Sequence, residues 1–495
     1  MVQKTLLLLT TMLLAACAST GTRPGGDDLP QHPSELTFGE RTISFPDAAD
    51  YRHELAGGNI AYIVEDRSLP LIQLSMSTRA GSYLLGPEQT GLGSMTATML
   101  RDGGTRDLTP DDLDERLAFL ATGISFSIGQ TRSSASINTL SSNFDESLGL
   151  MFDMITEPRL DAERLQINVE RSVEAMRRRN DDTRGIEPRV WSDLMLGEGF
   201  FANRRPTKAQ VEAIDTDAMR AFGQRVFSSG GLVFALSGDI DTEVAVAALN
   251  QQLSRLARGE ALPPVPESTR PSAPGVYGVD KDDVTQTRVS VGHPGPRIRH
   301  PDEFAISVMN EVLGGGGFTS RITSRVRSDE GLAYSAGSRF SLGRHYPGQF
   351  RVFYQSKNES VSQALAIVME EIERIRTEPV TEQELRVAIE GRVAYLAELY
   401  SSAAAKAGRF ASDHLNEEDP DFWRQYEANV RKVTRDDVLR AARTHLKPED
   451  LRILLVGKLE EAQAGDGTHG TVQEITGQQL TRLPLKDPLT LEPLE

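Results

Sequence analysis

The residue types that most often carry chemistry are scarce in this chain. Its 495 residues include 1 Cys and 8 His, and no two His lie three, four or five positions apart. These counts exclude an intrachain disulfide, a CxxC zinc knuckle, an iron–sulfur cluster and every zinc motif built on a close His pair. The chain also has no G-x-S-x-G nucleophile elbow and no phosphate-binding G-x-x-x-x-G-K-[ST] loop.

One string in the second half has a dense pattern of candidate side chains. It reads LGGGGFTSRITSRVRSDEGLAYSAGSRF and covers residues 313–340. Its glycines end one predicted helix, and a second helix begins at Thr319 or Ser320. That helix carries three arginines, Arg321, Arg325 and Arg327. Tyr334 follows Arg327 by seven positions and leads into a strand. Composition alone favours a Gly-rich turn with a surface Arg beside a core Tyr.

The chain contains an internal repeat. The tripeptide Thr-Glu-Pro at 156–158 recurs at 377–379, a step of 221 residues, and each copy is followed by a long helical pattern. The apolar runs at 232–240 and 452–460 also match, and both include a Gly near the end. Repeats of this length indicate a duplicated domain rather than a solenoid.

The repeated pieces mix strands and helices. QLSM (73–76) and RVSV (288–291) alternate with period 2, which is typical of half-buried strands. Asp161 and Thr381 lie at the start of the helical patterns, just past a proline, and are natural N-cap types. The predicted fold class is therefore α+β.

On the 313–340 string and the duplication, the chain resembles the insulinase/pitrilysin family of zinc peptidases, and especially its processing-peptidase-like bacterial branch. The resemblance implies two homologous domains of the half-clamshell type, each an antiparallel-rich sheet packed with helices. It also implies substrate-binding roles for Arg327 and Tyr334, which match the family's Arg/Tyr spacing. In the family this pair donates hydrogen bonds to the peptide carbonyl or the developing oxyanion, which suits a fixed guanidinium and a phenol.

The same resemblance places the family's metal motif H-x-x-E-H within AGSYLLGPEQTGLGSMTATMLRDGGT (80–105). In this register Ser94 and Thr98 replace the two histidines, and Ala97 replaces the general base. The third ligand falls near Ala175 or Glu174. Hydroxyls are poor zinc ligands at neutral pH and alanine cannot act as a base, so we expect a degenerate site, no metal in this chain and no catalytic residue in this chain alone.

The first residues predict export and a lipid anchor. MVQKTLLLLTTMLLAAC has one early Lys and a nine-residue apolar run, Leu6 to Leu14, which is too short to span a bilayer. Leu14-Ala15-Ala16-Cys17 resembles a bacterial lipobox, and Cys17 is the only Cys in the chain. The alternative is an ordinary signal peptide with a fortuitous Cys. Residues 18 and 19 are Ala and Ser, with no Asp just after the Cys, and resemblance to the usual sorting pattern implies the outer membrane of a Gram-negative cell.

These observations define an expected organisation along the chain. In order, the expected parts are a lipoprotein signal (1–17), a flexible tether (18–38), an N-terminal peptidase-like domain (39–255), a Pro-rich linker (256–275), a C-terminal peptidase-like domain (276–460) and a polar, extended tail (461–495).

The functional hypothesis combines the intact Arg/Tyr string with the missing metal motif. The chain is expected to be a non-catalytic, zinc-free subunit of a periplasmic zinc metalloendopeptidase. A homologous partner would carry H-x-x-E-H and the zinc, and the substrate would be a peptide or an unfolded protein. The alternatives are a non-enzymatic scaffold or peptide-binding lipoprotein of the same fold, and a hydrolase with a non-standard site. The net charge of −17 excludes nonspecific nucleic-acid binding.

Overall fold

The computed structural model describes residues 45–494, which form two six-stranded sheets with helices packed on them. The predicted signal, Cys17 and the tether lie outside the described residues. The strands of the first sheet are β1 (Arg52–Leu55), β2 (Asn59–Glu65), β3 (Leu71–Thr78), β4 (Gly123–Ile128), β5 (Ser133–Leu140) and β6 (Val233–Gly238). The strands of the second sheet are β7 (Gly275–Asp280), β8 (Gln286–Gly295), β9 (Ala333–Ser341), β10 (Gly348–Lys357), β11 (Arg452–Gly457) and β12 (Leu480–Arg482).

Five strands of each sheet repeat one topology, while the edge strands differ, since β1 is antiparallel to β2 and β12 is parallel to β7. The strand orders of the two sheets are β1-β2-β6-β3-β5-β4 and β12-β7-β11-β8-β10-β9. Strands β2 and β6 pair in parallel in the first sheet, as β7 and β11 do in the second. Strands β3 and β8 are antiparallel to both of their neighbours. The predicted α+β class with two homologous, antiparallel-rich units is therefore confirmed.

Helices occupy most of the remaining chain. Those of the first half are α1 (Leu92–Asp102), α2 (Pro110–Phe119), α3 (Phe144–Thr156), α4 (Ala162–Arg177), α5 (Thr183–Leu196), α6 (Lys208–Glu212), α7 (Thr216–Val226) and α8 (Thr242–Leu253). Those of the second half begin with α9 (Glu303–Asn310), α10 (Arg321–Thr323), α11 (Val361–Thr377), α12 (Glu382–Ala394) and α13 (Leu396–Leu399). They end with α14 (Ala403–Asn416), α15 (Phe422–Arg431), α16 (Arg435–His445), α17 (Leu459–Ala464) and α18 (Val472–Thr476). No helix among residues 45–494 is long and apolar enough to cross a membrane.

Local sequence determines where the repeated helices begin. Asp161 accepts hydrogen bonds from the backbone N–H groups of Glu163 and Arg164 at the start of α4. Thr381 and Glu384 form a reciprocal capping box at the start of α12. Both N-cap predictions are confirmed, because a side-chain oxygen at this position satisfies donors that the helix itself leaves unpaired.

Each half contributes one helix to the other half's sheet. Helix α5 packs Ile186, Trp191 and Leu194 against Val279 and Leu454 of the second sheet. Helix α14 packs reciprocally on β2 and β6 of the first sheet. Because both contacts are apolar and buried, this exchange ties the two halves together.

A buried ion pair also joins α5 to the second sheet. Glu187 is 1% exposed, and its carboxylate accepts two hydrogen bonds from the Arg351 guanidinium on β10, at 2.6 and 2.8 Å. Ser290 on β8 donates a third hydrogen bond to the same carboxylate at 2.5 Å. A buried carboxylate needs such partners because leaving it unpaired costs several kcal/mol.

Residues 461–494 correct the expectation of an extended tail. They include the end of α17, helix α18 and strand β12, which pairs in parallel with β7 at the sheet edge. Beyond β12 the chain contacts the first half, where the Lys208 amide donates to the Leu489 carbonyl and the Arg179 guanidinium to the Pro488 carbonyl. The polar composition of this segment was visible in the sequence. Its pairing at the sheet edge was not, because that pairing depends on β7, which is distant in the sequence.

Candidate functional site

The glycine-rich string forms a compact turn between two helical segments. Helix α9 runs into a π-helical turn at Glu311–Gly315, and Gly317–Thr319 forms a 3-10 turn. Ser320 is extended, and helical structure resumes at Arg321 and continues as a π-helix over Ser324–Asp329. The predicted interruption at the glycines and the restart near Ser320 are confirmed.

Two glycines are required by this geometry. A Cβ at Gly314 would lie 2.5 Å from the Ser338 backbone nitrogen, so only glycine lets the π-helical turn approach β9 this closely. Gly317 has φ +60°, a left-handed conformation in which other residues are strained. The turn therefore fixes the position of the following helix relative to the strand that carries Tyr334.

Two of the three predicted arginines have structural partners. Arg321 is 8% exposed and donates hydrogen bonds to both carboxylate oxygens of Glu384, at 2.6 and 3.0 Å. Burial alone would raise the pKa of Glu384, but the hydrogen bonds from Arg321 and Thr381 outweigh it and lower this pKa to about 2. Arg325 pairs with the buried Glu371 at 2.9 Å. These two arginines hold the π-helical segment against α11 and α12.

Arg327 differs from both neighbours, because within residues 45–494 it has no ion pair and no side-chain hydrogen bond. Its guanidinium carbon lies 4.5 Å from the ring centroid of Phe318 and 4.7 Å from that of Tyr334. Cation–π contacts of this kind fix a guanidinium without neutralising its charge or using its N–H donors. The N–H donors of Arg327 are therefore unused within the described residues.

Tyr334 lies at the start of β9 and is 85% exposed. Its hydroxyl makes no hydrogen bond within the described part of the chain. The alternative of a core Tyr is therefore wrong. Phe318 is also largely exposed, at 64%. The sequence analysis missed Phe318, although a large aromatic residue inside a Gly-rich turn was a usable signal, because such a turn has no core to fill.

The predicted degenerate metal positions lie on the surface of α1. Ser94 and Thr98 are exposed one turn apart, and Ala97 is buried. The Ser94 hydroxyl donates to the Gly91 carbonyl at 2.9 Å, and the Thr98 hydroxyl donates to the Ser94 carbonyl at 3.1 Å. Both hydroxyls therefore bond to their own helix backbone, a common use of Ser and Thr in helices.

The position expected for a third ligand is no better suited to zinc. Ala175 on α4 is exposed and has no ligand atom. The neighbouring Glu174 carboxylate accepts hydrogen bonds from Arg177 and Arg178, and these bonds lower its pKa. With hydroxyls, alanines and a carboxylate already paired with arginines, the residues on α1 and α4 do not fit a zinc ion.

One other cluster contains typical metal ligands. His300, Asp302 and His445 bring three ligand atoms within 4.8 Å of one another. However, the Asp302 carboxylate already bonds to Arg440 at 2.6 Å and to His445 Nε2 at 2.8 Å. His300 Nδ1 accepts the Asp302 backbone N–H, so this ring nitrogen is also used within the fold. The cluster instead joins the start of α9 to the end of α16.

The structure does not bring all predicted site residues together. Arg327 and Tyr334 form one site with Phe318 beside the second sheet. Ser94, Ala97 and Thr98 lie on α1, which packs on the first sheet and α7. The described residues therefore form two homologous α+β units, and the positions predicted for zinc ligands, Ser94, Thr98 and Ala175, hold two hydroxyls and an alanine.

Comparisons with known proteins agree with this class. Residues 213–391 match a family model described as the Peptidase M16 inactive domain, and this match includes Arg327 and Tyr334. The non-peptidase homolog YmxG of Helicobacter pylori is 24% identical over 65% of this chain and 74% of its own length. An uncharacterized zinc protease of Mycobacterium leprae is 24% identical over 51% of this chain and 57% of its own length.

Solved structures share the fold. A peptidase M16 inactive domain from Pseudomonas fluorescens has a TM-score of 0.73 at 22% identity, over 82% of this chain and 97% of that one. The periplasmic protease PqqL from Escherichia coli has a TM-score of 0.69 at 15% identity, over 85% of this chain but 48% of PqqL. A chain of Complex III2 from Candida albicans has a TM-score of 0.64 at 14% identity, over 83% of this chain and 96% of that one.

The predicted resemblance is therefore confirmed. Residues 213–391 are similar to the M16 peptidase domain described as inactive, which agrees with the insulinase/pitrilysin resemblance.

Proposed function

We propose that this chain is the non-catalytic, zinc-free subunit of a heterodimeric zinc metalloendopeptidase. A homologous partner chain supplies H-x-x-E-H and the zinc, and this chain supplies Arg327 and Tyr334. One observation carries the proposal. The Arg327 guanidinium lies against the exposed rings of Phe318 and Tyr334 without an ion pair, whereas Arg321 and Arg325 both form ion pairs.

The chemistry assigned to this chain needs no metal of its own. Arg327 and Tyr334 present N–H and O–H donors from one surface. A peptide carbonyl held by both donors would be oriented and polarised. The same donors would stabilise negative charge that develops on that oxygen when the partner's site attacks the carbon.

The length comparison supports a need for a second chain. This chain aligns over 85% of its own length with only 48% of PqqL. The polypeptide of PqqL is therefore about twice as long as the part that this chain matches. In the proposal, the partner chain supplies the other half of an enclosure around the substrate. The substrate in this proposal is a peptide or an unfolded protein.

The proposed location is the periplasm, with Cys17 acylated and the chain anchored to the outer membrane of a Gram-negative cell. The support is the lipobox-like Leu14-Ala15-Ala16-Cys17 after a short apolar run. Metabolic labelling with a fatty acid analogue tests this part by itself. Label on the wild-type chain and none on Cys17→Ser is expected, and an unlabelled wild type would overturn it.

The functional proposal is tested by mixing this chain with a partner that carries H-x-x-E-H and measuring cleavage of an internally quenched peptide. Arg327→Ala should lower the rate about 100–1,000-fold, the usual effect of losing one oxyanion donor, without reducing co-purification of the two chains. Arg339→Ala is the matched control, because Arg339 is an exposed arginine on β9. Full activity of an Arg327→Ala/Tyr334→Ala double variant would overturn the proposal.

A second candidate function is a non-enzymatic scaffold or peptide-binding lipoprotein of this fold. The likeness to a chain of Complex III2 favours it, because that fold also occurs in a protein described as a complex rather than as a protease. A scaffold has no use for a free arginine held between rings. The Arg327→Ala measurement therefore separates the two candidates.

A further inference from the structure

A cavity of about 1310 Å³ lies between the two halves of the chain. Seven arginines and three glutamates line it, with no lysine and no aspartate. This excess of positive charge is local, since the whole chain carries a net charge of −17. A cationic cavity in an acidic protein concentrates anions that would otherwise be repelled.

Several of these arginines already form ion pairs or hydrogen bonds within the protein. The Arg79 guanidinium pairs with Glu417 at 2.6 Å and donates to the Leu415 carbonyl at 3.0 Å. Arg344 donates to the Asn416 carbonyl at 2.6 Å, and Arg299 donates to the Glu417 carbonyl. These arginines cap the C-terminal end of α14, where backbone carbonyls are unpaired and the helix dipole is negative.

Two lining arginines have neither an ion pair nor a hydrogen bond to a backbone carbonyl within residues 45–494, the exposed Arg225 and the half-buried Arg132. Arg132 comes from the first half and makes one side-chain hydrogen bond, to the neutral amide oxygen of Asn416 at 2.7 Å. No carboxylate within residues 45–494 lies within 4.0 Å of it. Burial lowers the pKa of Arg132, and the charges of Arg344 and Arg79 lower it further. A bound anion would relieve both effects.

Part of the cavity lining is aromatic. Tyr83, Trp191 and Tyr346 line it, and Tyr346 is held by an edge contact with Phe200 at 5.0 Å between ring centroids. The lining therefore places aromatic rings beside cationic groups. The pairing of cation and aromatic wall fits a carboxylate that is attached to an apolar body.

We propose that the cavity between the two halves binds a carboxylate carried by an apolar peptide segment, with Arg132 as the residue that pairs with it. The carboxylate belongs to a peptide C-terminus or to an acidic side chain. The site is separate from Arg327 and Tyr334, and the inference stands whether or not the chain joins a peptidase.

The test uses the purified chain and calorimetric titration with N-acetyl-Phe-Leu, its C-terminal amide, and N-acetyl-Phe-Glu-amide. The free acid should bind at least about tenfold more tightly than the amide, since hydrogen bonds to charged groups contribute about 1.5–3 kcal/mol. Tight binding of the Glu peptide identifies an acidic side chain as a second acceptable source. Equal affinity for acid and amide would overturn the proposal.

Two variants assign the effect to Arg132. Arg132→Gln keeps a donor for Asn416 but loses the charge, and should weaken binding of the acid at least about tenfold. Arg132→Lys keeps the charge and should retain part of the affinity, with increased salt weakening it. Arg386→Gln, which removes an exposed charge elsewhere, is the control. Thermal unfolding checks that each variant folds. Wild-type affinity in a folded Arg132→Gln, or loss in Arg386→Gln alone, would contradict the assignment.

Discussion

Arg327 and Tyr334 are in direct contact, with the guanidinium carbon 4.7 Å from the centre of the phenol ring. The contact comes from the glycine turn, which sets the helix of Arg327 close to the strand that begins with Tyr334. It holds a charge at the surface while leaving its donors free. A structural arginine would instead be paired with a carboxylate, as Arg321 is with Glu384.

Phe318 is predicted to be a positioning residue for Arg327. In the reconstituted complex, Phe318→Ala should lower the cleavage rate about two- to fivefold, because an exposed cation–π contact is worth about 0.5–1 kcal/mol. Phe318→Tyr keeps the ring and should restore the wild-type rate. Both variants should unfold at the wild-type temperature. Equal loss in the Ala and Tyr variants would show that the ring face is not what matters.

The Arg321–Glu384 pair predicts a pH-dependent stability. Its bonds hold the pKa of Glu384 at about 2, below the ordinary 4.5, so they stabilise the folded chain above pH 4.5. This contribution, on the order of 2–3 kcal/mol, is lost as the pH falls from 4.5 towards 2. Glu384→Gln should be less stable than the wild type at pH 7, with the difference shrinking across that range.

Urea unfolding at a series of pH values measures the Glu384 effect. Glu359→Gln is the control, because Glu359 is an exposed carboxylate on a different segment. A wild-type pH profile in Glu384→Gln would contradict the prediction.

The buried Glu187–Arg351 pair should be a main tie between α5 and the second sheet. Arg351→Met leaves the Glu187 carboxylate buried without its arginine, and should reduce the free energy of unfolding by about 3–5 kcal/mol. A Glu187→Leu/Arg351→Met double variant should recover much of that loss. The measurement is denaturant unfolding of all variants, and a single variant that costs under about 1 kcal/mol would contradict the buried-pair description.

Helix α1 should accept a metal once ligands are supplied. Ser94 and Thr98 are exposed one turn apart, so Ser94→His/Thr98→His places two imidazoles on one face. Zinc should raise the unfolding temperature of this variant. The wild type should purify without stoichiometric zinc and should not respond to it. Stoichiometric zinc in the wild-type chain would favour a hydrolase with a non-standard site.

Features fixed by neighbouring residues were predictable. The strands around 73–76, 232–240, 288–291 and 452–460 and the N-caps Asp161 and Thr381 follow from local patterning and from the repeat. The Arg/Tyr spacing was equally local, because the intervening turn is short.

Features that depend on distant contacts were not predictable. The exchange of α5 and α14, the pairing of β12 with β7, and the contact of His300 with His445 join segments that are far apart in the sequence. Local periodicity shows which face of a helix is apolar but not which sheet will cover it. Whether each of the three arginines forms an ion pair likewise depends on glutamates of α11 and α12, which pair with Arg321 and Arg325 but not with Arg327.

The peptidase rate of this chain mixed with an H-x-x-E-H partner tests the central claim most directly. Cleavage should require both chains, and should fall about 100–1,000-fold when this chain carries Arg327→Ala, with the complex still assembled. A partner that cleaves at the full rate alone, or a mixture unaffected by Arg327→Ala with Tyr334→Ala, would contradict it.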